Sequence, residues 1–375
     1  MFKKIITIMM ALILLLICNS NDSYAASYPP AIKYQWTSGK FQIRNTWAPG
    51  IDKNGYINLL YSSPTSSNLY NSYIILNTIG KKIYEQINSK SLGNIYGLKV
   101  VKDGLIILTK NDIRKLDAKG NTKWVNKRKG SRIYIGDSGN IYLFDFYPQK
   151  LTQINQTNGK VIGTYTMTTK IKEDIQFNPK TETFYALTDS NLSAIKGNKL
   201  RWKVLTPKGF NTNAWIDDVS PNGTVAITFY SEKTDEFLLQ VYSVTGKVNW
   251  AYKSKDFSAQ EDSMFNANDY LLVRDSYPDR FIWFDPKGNQ VKSYKLDNNI
   301  DSRIFSVTNN LDVYISYTSY SSKGEYSVIR KINKAGIIVA ESQNKGFSSY
   351  SLSPYGVFTG GTSNNLFQFA FYKLN

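Results

Sequence analysis

The residues able to do chemistry in this chain are carboxylates, tyrosines and lysines, because the sequence contains no histidine and a single cysteine, Cys18. Without histidine there is no Ser-His-Asp relay, and both the usual base near neutral pH and the commonest metal ligand are missing. Two adjacent acid pairs, Asp217-Asp218 and Glu261-Asp262, are candidates for glycan cleavage, which uses two carboxylates. The alternative is that nearby backbone or lysine groups satisfy these acids, and no catalytic residue is assigned.

A metal or a cofactor is not expected from the sequence. The segment 297–301, which reads DNNID, carries oxygen ligands but lacks the glycine and the distal glutamate of a calcium loop. It is predicted to be a connecting loop.

The first 25 residues have the layout of a cleavable secretory signal. Lys3 and Lys4 precede an apolar run from Ile5 to Ile17, and a polar stretch ends at Ala25. The run of about 13 residues is shorter than the roughly 20 that cross a bilayer as a helix. The sequence therefore predicts cleavage after Ala25, or alternatively after Ala26, and a secreted or cell-surface protein without a membrane span. Lipid attachment at Cys18 is a further alternative, which Ile17 disfavours.

The chain is strongly basic, with 46 lysines and arginines against 29 acidic residues and a net charge of +17. Loss of residues 1–25 would remove Lys3, Lys4 and Asp22, which leaves 44 basic and 28 acidic side chains and a charge of +16. Such a protein attracts anionic cell-wall polymers, lipid headgroups or acidic glycans. Lysine could instead be abundant because the coding genome is rich in A and T. No nucleic-acid motif is present, so nucleic acid is not an expected partner.

A turn-like glycine recurs along the chain at intervals of 38 to 49 residues, and each is flanked by two strand-like runs. This period is typical of repeat architectures. The seven positions are Gly80, Gly120, Gly159, Gly197, Gly246, Gly288 and Gly336.

A second signal, a polar turn followed by a β-prone run, occurs eight times. It begins near residues 52, 101, 136, 178, 220, 266, 308 and 353. If each unit has antiparallel strands A to D, this signal marks the A–B turn and the glycine marks the C–D turn. The eighth unit lacks strand D, which the segment 31–39 would supply. The sequence therefore predicts one all-β domain over residues 26–375, an eight-bladed β-propeller of four-stranded blades closed by the N-terminal strand.

Side chains around the glycines add a recurring motif. Asn77, Asp117, Asp285 or Asn333 stands three residues before the glycine, and Tyr84, Trp124 or Trp250 stands four after. The motif resembles the tryptophan-docking repeat of PQQ-like, quinoprotein-type, eight-bladed propellers, although the aromatic is displaced or missing at Gly163, Lys292 and Ala340. The resemblance implies that the aromatic packs between adjacent blades. The adjacent cysteines of quinone-dependent members are absent, which favours a cofactor-free protein.

The B–C loops and the D–A connections of such a fold share one face. Long B–C loops over residues 62–72, 231–236 and 318–326, with residues 275–280 adding an aromatic and an arginine, combine tyrosine with small polar side chains, as is typical of recognition surfaces. The predicted binding residues in these loops are Tyr70, Tyr277, Arg280, Tyr320 and Lys323. A dense basic cluster in the second D–A connection adds Lys127, Arg128, Lys129 and Arg132. Ordinary solvated loops are the alternative interpretation.

These observations predict an exported, noncatalytic scaffold that binds a protein or an anionic cell-surface polymer. The alternative is an extracellular glycan-cleaving enzyme, a hydrolase or a lyase, that uses carboxylates of the central channel.

Overall fold

The computed structural model of the chain describes residues 36–37, 41–42, 45–46, 50–51, 56–62, 72–77, 79–86, 92–168, 170–188, 190–210, 213–255, 263–276, 279–295, 303–321, 324–345, 348–353, 356–363 and 366–373. For the strands before residue 56 and after residue 343, the backbone alone is described. The proposed signal segment, the acid pair Glu261-Asp262 and the segment 297–301 lie outside the described residues.

The described chain consists of antiparallel β-strands joined by turns. We use "blade" for a sheet whose strands all come from one continuous segment of the chain. Two short strands, β1 (Trp36–Thr37) and β2 (Phe41–Gln42), precede the blades. Blade 1 contains β3 (Asn45–Thr46), β4 (Gly50–Ile51), β5 (Ile57–Ser62), β6 (Ser72–Leu76) and β7 (Lys82–Gln86). Blade 2 contains β8 (Ile95–Val101), β9 (Gly104–Thr109), β10 (Ile113–Leu116) and β11 (Thr122–Asn126).

The next five blades repeat the pattern of blade 2. Blade 3 contains β12 (Arg132–Ile135), β13 (Ile141–Phe146), β14 (Gln149–Ile154) and β15 (Val161–Thr166). Blade 4 contains β16 (Ile171–Asn178), β17 (Thr183–Thr188), β18 (Asn191–Lys196) and β19 (Lys199–Leu205). Blade 5 contains β20 (Asn213–Val219), β21 (Val225–Ser231), β22 (Glu236–Tyr242) and β23 (Val248–Ser254). Blade 6 contains β24 (Ser263–Phe265), β25 (Leu271–Ser276), β26 (Asp279–Phe284) and β27 (Gln290–Lys295). Blade 7 contains β28 (Arg303–Val307), β29 (Val313–Ser321), β30 (Gly324–Ile332) and β31 (Ile338–Lys345).

Within each blade the strands pair in chain order, as strands A to D. In blade 1 strand A is divided, and its two halves, β3 and β4, both pair with β5. The A strands of neighbouring blades contact one another, as β20 does with β16 and β24, and therefore line the inside of the ring.

One further sheet, the closing sheet, joins the two ends of the chain. It contains β32 (Ser348–Ser353), β33 (Gly356–Ser363) and β34 (Leu366–Lys373), and both β1 and β2 pair with β34. Trp36 lies opposite Phe371, and Phe41 lies opposite Phe367. Since β32 contacts both β28 and β4, the closing sheet lies between blade 7 and blade 1. The predicted pairing of the N-terminal segment with the last strand is present.

The prediction of eight blades is wrong. The described chain forms seven blades from continuous segments, and the last sheet is built from both ends of the chain with five strands. The physical reason is that only seven glycine turns are present, each joining the C and D strands of one blade. The last segment provides three strands and has no such turn. The all-β class and the four-stranded antiparallel blade are confirmed, with the division of strand A in blade 1 as the exception.

The hydrophobic core lies between neighbouring blades. Six clusters of buried side chains in the described residues fill the six interfaces from blades 1 and 2 to blades 6 and 7. Strand β9 is buried along its whole length because both of its faces meet another blade. Strand β27, the outer strand of blade 6, is mostly exposed and carries lysines, which protect a sheet edge from pairing with other chains.

Four of the glycine turns dock against an aromatic ring of the preceding blade. The rings of Trp124, Trp202, Trp250 and Tyr294 cover Gly159, Gly246, Gly288 and Gly336, where an added Cβ would lie 2.5–2.8 Å from the ring or its Cβ. The Trp202 indole also donates to the Val244 carbonyl at 2.7 Å. The predicted packing of these aromatics between blades is confirmed for Trp124 and Trp250. It is also confirmed for Tyr84, which packs against the core cluster between blades 1 and 2, although no atom lies within 4 Å of a Cβ built on Gly120.

The A–B turns of blades 4, 5, 6 and 7 are joined in succession by side-chain hydrogen bonds, which we call turn bridges. The Asn178 amide donates to the Ser220 carbonyl at 2.6 Å, and the Asn222 amide donates to the Ala267 carbonyl at 3.1 Å. The Asn266 amide donates to the Thr308 carbonyl at 3.2 Å. These bonds fix the position of each turn on its neighbour.

Candidate functional site

The basic cluster lies on the connection from blade 2 to blade 3, between the end of β11 at Asn126 and the start of β12 at Arg132. The Asn126 amide donates to the Gly159 carbonyl at 2.7 Å, and its Oδ1 accepts from the Arg128 backbone N–H. At the other end, the Ser131 N–H donates to the Phe144 carbonyl at 2.7 Å. Gly130 lies so close to Leu143 that a Cβ there would be 2.3 Å from its side chain. The connection is therefore held against blade 3 while its middle faces solvent.

The exposed cations of this connection form the basic patch, which we define as Lys127, Arg128, Lys129 and Arg132. Among the described residues, no carboxylate forms an ion pair with Lys127, Arg128 or Lys129. The Arg132 guanidinium lies 5.0 Å from the centre of the Phe146 ring, a cation–π contact that leaves its charge unneutralised. The basic patch therefore has three successive positive charges and a fourth at Arg132. It can bind an anionic group without first breaking an ion pair within the protein.

An exposed aromatic side chain accompanies the basic patch. Tyr147 follows Phe146 in the B–C turn of blade 3 and is 82% exposed, the highest value among the large apolar residues described. Its backbone N–H donates to the Asp145 Oδ1 at 3.2 Å, which fixes the turn. Sequence reasoning missed Tyr147, although the run FYP before a strand was a usable signal for a turn that exposes an aromatic ring.

The other predicted binding residues are not brought to one described surface. Tyr70, Tyr277 and Lys323 lie outside the described residues. Arg280 is half-buried and forms an ion pair with Asp275, which is fully buried, with Nη2 2.9 Å from Oδ2. Tyr320 lies in β29, opposite Glu325 of β30. Residues 318–321 and 324–326, which were predicted to belong to a loop, instead continue β29 and β30 as a paired hairpin, with Ser321 opposite Gly324.

The acid pair Asp217-Asp218 lies on β20, the A strand of blade 5. The register shifts between Ile216 and Asp218, so Asp217 is the extra residue of a β-bulge. Asp217 accepts from the Thr228 hydroxyl at 2.8 Å and from the Trp215 indole at 3.1 Å. Asp218 accepts from the Phe265 backbone N–H of blade 6 at 2.7 Å. Both carboxylates therefore bind protein groups.

Burial raises the pKa of the Asp218 carboxyl to about 6, although hydrogen bonds from the Phe265 and Val219 backbone oppose the shift. The folded chain holds this proton more tightly than the unfolded chain, whose aspartates have a pKa of about 3.9. Asp218 therefore contributes stability below about pH 4 that is lost as the pH rises through about 6.

The variant Asp218→Asn is expected to raise the unfolding free energy by about 1–2 kcal/mol at pH 7.5 and to change it little at pH 4, because the amide stays neutral and still accepts from Phe265. Denaturant titrations at both pH values measure the difference. The exposed Asp137→Asn serves as the control. A gain of equal size at both pH values would contradict the buried-charge explanation.

Comparisons with solved structures bear on the fold. The C-terminal WD40 domain of Sif2 is 11% identical and aligns with a TM-score of 0.55 over 93% of this chain and 100% of that one. The structure described as the eukaryotic initiation factor is 12% identical and aligns with a TM-score of 0.56 over 88% and 82%. BamB from Moraxella catarrhalis, at 12% identity, has a TM-score of 0.49 over 87% and 97%. No protein-family model and no curated protein matches the chain.

The WD40 alignment spans the whole of that domain and nearly all of this chain, and it agrees with the ring of blades described above. The chain is a β-propeller. In the described part of the propeller, no helix reaches the length and hydropathy of a bilayer-spanning segment. The same residues contain no group of three or more acidic, histidine or cysteine side chains placed to hold a metal ion.

Proposed function

We propose that the protein is an exported, noncatalytic scaffold that binds an anionic cell-surface polymer through its basic patch. Propellers commonly serve as interaction scaffolds, but the fold alone does not name a ligand. The observation that carries the proposal is an anchored connection on which Lys127, Arg128 and Lys129 are exposed and have no acidic partner among the described residues.

Two features of the whole chain support this proposal. The net charge of +17 attracts an anionic polymer at long range, in addition to the local attraction by the basic patch. The first 25 residues favour export, which would bring the protein to cell-wall polymers. N-terminal sequencing of protein recovered outside the cell would test that step.

We also propose that the repeats are of the PQQ-like type. The docking of Trp124, Trp202 and Trp250 on glycine turns supports this assignment.

The variant in which Lys127, Arg128 and Lys129 are all replaced by alanine is expected to bind poly(glycerol phosphate) about 10- to 100-fold more weakly at low salt. The reason is that each cation near an anionic surface contributes up to about 1 kcal/mol. Binding of the unaltered protein is expected to disappear above about 0.3 M salt, where exposed charges are screened. Binding to the immobilised polymer at several salt concentrations measures both effects.

The matched control replaces Lys119, Lys247 and Lys287, three exposed lysines of C–D turns, with alanine and so removes the same charge. Equal losses in the two variants would show that net charge, rather than the basic patch, holds the polymer. Binding that persists at high salt would point to a protein partner or another surface.

The alternative function, cleavage of extracellular glycans by channel carboxylates, has less support. Asp217 and Asp218 each accept hydrogen bonds from the protein itself, which accounts for their presence without a substrate. Turnover of a glycan panel that is lost in Asp217→Asn would favour the enzyme instead.

A further inference from the structure

A polar depression of about 600 Å³ lies between blades 6 and 7, on the face formed by A–B and C–D turns, which is opposite to the basic patch. Asn268 and Tyr270 come from the A–B turn of blade 6, and residues 309–312 form the A–B turn of blade 7. Asn333 and Lys334 come from the C–D turn of blade 7. Three separate turns thus supply the lining.

The lining is rich in amide groups that remain available for a ligand. The Oδ1 atoms of Asn309 and Asn333 accept from backbone N–H groups, those of Ala267 and Ala335 respectively, and this leaves their NH2 groups as donors. Within the described part of the chain, the Asn268 and Asn310 side chains form no hydrogen bond. Each of these two amides therefore offers both a donor and an acceptor.

The charge of the depression is low. The Asp312 carboxylate pairs with Lys331, with 3.2 Å between Nζ and Oδ2, and Lys334 is the remaining cation of the lining. Leu311 and Tyr270 are partly buried and pack against the core between blades 6 and 7. This composition does not match a polyanion, which requires several cations, or a lipid chain, which requires an apolar wall.

The depression is formed before any ligand arrives. The Asn266 Oδ1 accepts from the backbone of Asn268 at 2.9 Å and of Tyr270 at 3.1 Å, while its amide donates to the Thr308 carbonyl of the next blade. The turn bridges therefore hold the two A–B turns in a fixed relation. A preorganised polar site binds with a smaller loss of conformational freedom than a flexible one.

We propose that this depression binds a neutral saccharide. An asparagine amide presents a donor and an acceptor side by side, which match two neighbouring hydroxyl groups of a sugar ring. The partly buried Tyr270 ring offers an apolar surface for the C–H face of that ring and a hydroxyl at its edge. The saccharide site is separate from the basic patch and takes a ligand of different chemistry.

The test uses the full chain and a panel of neutral trisaccharides built from glucose, galactose, mannose or N-acetylglucosamine. Saturation-transfer NMR detects binding and calorimetric titration measures it at millimolar concentrations. The variant with both Asn268→Ala and Asn310→Ala is expected to bind the preferred sugar at least about 10-fold more weakly, because up to four hydrogen bonds are removed. Its thermal midpoint should stay within about a degree of the original, since neither side chain is bonded within the described chain.

The matched control replaces Asn111 and Asn249, two exposed asparagines elsewhere on the propeller, with alanine and should bind the sugar unchanged. The variant of Lys127, Arg128 and Lys129 should also bind it unchanged, so failure of the polymer proposal and failure of this one are distinguishable. The proposal is overturned if no sugar of the panel binds, or if sugar binding survives loss of both Asn268 and Asn310 amides.

Discussion

Replacement of Gly104 by alanine is expected to lower the unfolding free energy by about 4 kcal/mol, because the new Cβ has no space and the backbone angle is unfavourable. Gly104 begins β9 with φ at 148°, and a Cβ there would lie 1.9 Å from the Leu116 carbonyl oxygen. It would also lie 3.0 Å from the Asp117 Cα. These are backbone atoms of the paired strand and its turn, so relief requires that the blade itself move.

The control for this prediction is Gly120→Ala in the same blade. Gly120 also has a positive φ, 85°, but no heavy atom lies within 4 Å of the added Cβ. Its loss is therefore expected to be about 1 kcal/mol, from backbone strain alone. Denaturant titrations of both variants measure the difference, and equal losses would show that the close approach to Leu116 does not determine the stability of blade 2.

Replacement of Trp202 by alanine is expected to lower the unfolding free energy by about 3 kcal/mol. The Trp202 ring covers Gly246 of the next blade, lies 5.9 Å from the Tyr185 ring and donates its indole N–H to the Val244 carbonyl. The ring packs on the core cluster between blades 4 and 5, so its removal opens a space at that interface. Trp202→Phe keeps most of the packing and should lose about 1 kcal/mol, from the hydrogen bond.

A double-mutant cycle with Gly246→Ala tests the contact itself. A Cβ on Gly246 would lie 2.7 Å from the Trp202 ring, so Gly246→Ala should destabilise the original protein more than it destabilises Trp202→Ala. We expect a coupling of about 1–2 kcal/mol from denaturant titrations of the four proteins. A coupling near zero would mean that the tryptophan and the glycine of the next blade act independently.

The regular parts of the fold were predictable because their signals are local. Glycine at a C–D turn adopts a positive φ, as at Gly246 with 79°, and an asparagine or aspartate three residues earlier accepts the turn N–H groups, as Asp117 does for Lys119. The blade count failed because the eighth A–B turn was counted as the start of an eighth blade, with the N-terminal segment as its missing strand. The eighth A–B turn begins the closing sheet, to which the last segment contributes three strands and the N-terminal segment contributes two.

Only part of the candidate site was predictable from the sequence. The basic patch was found because charge density is visible in the sequence, and its anchoring at Ser131 and Gly130 was not. The ion pair of Arg280 could have been predicted, because Asp275 and Arg280 are opposite one another in a hairpin with two residues between its strands. The depression between blades 6 and 7 could not be predicted, because Asn268 and Asn310 line it together although they are far apart in sequence.

The closing sheet also determines which edge of the molecule stays protected. Six of the eight residues of β34, whose sequence is LFQFAFYK, are apolar or aromatic, and its outer side is occupied by the short strands β1 and β2. A chain trimmed by a protease beyond Gln42 would leave that side unpaired. Exposed apolar strand edges recruit strands from other molecules, so such a fragment would tend to assemble into aggregates or strand-exchanged oligomers.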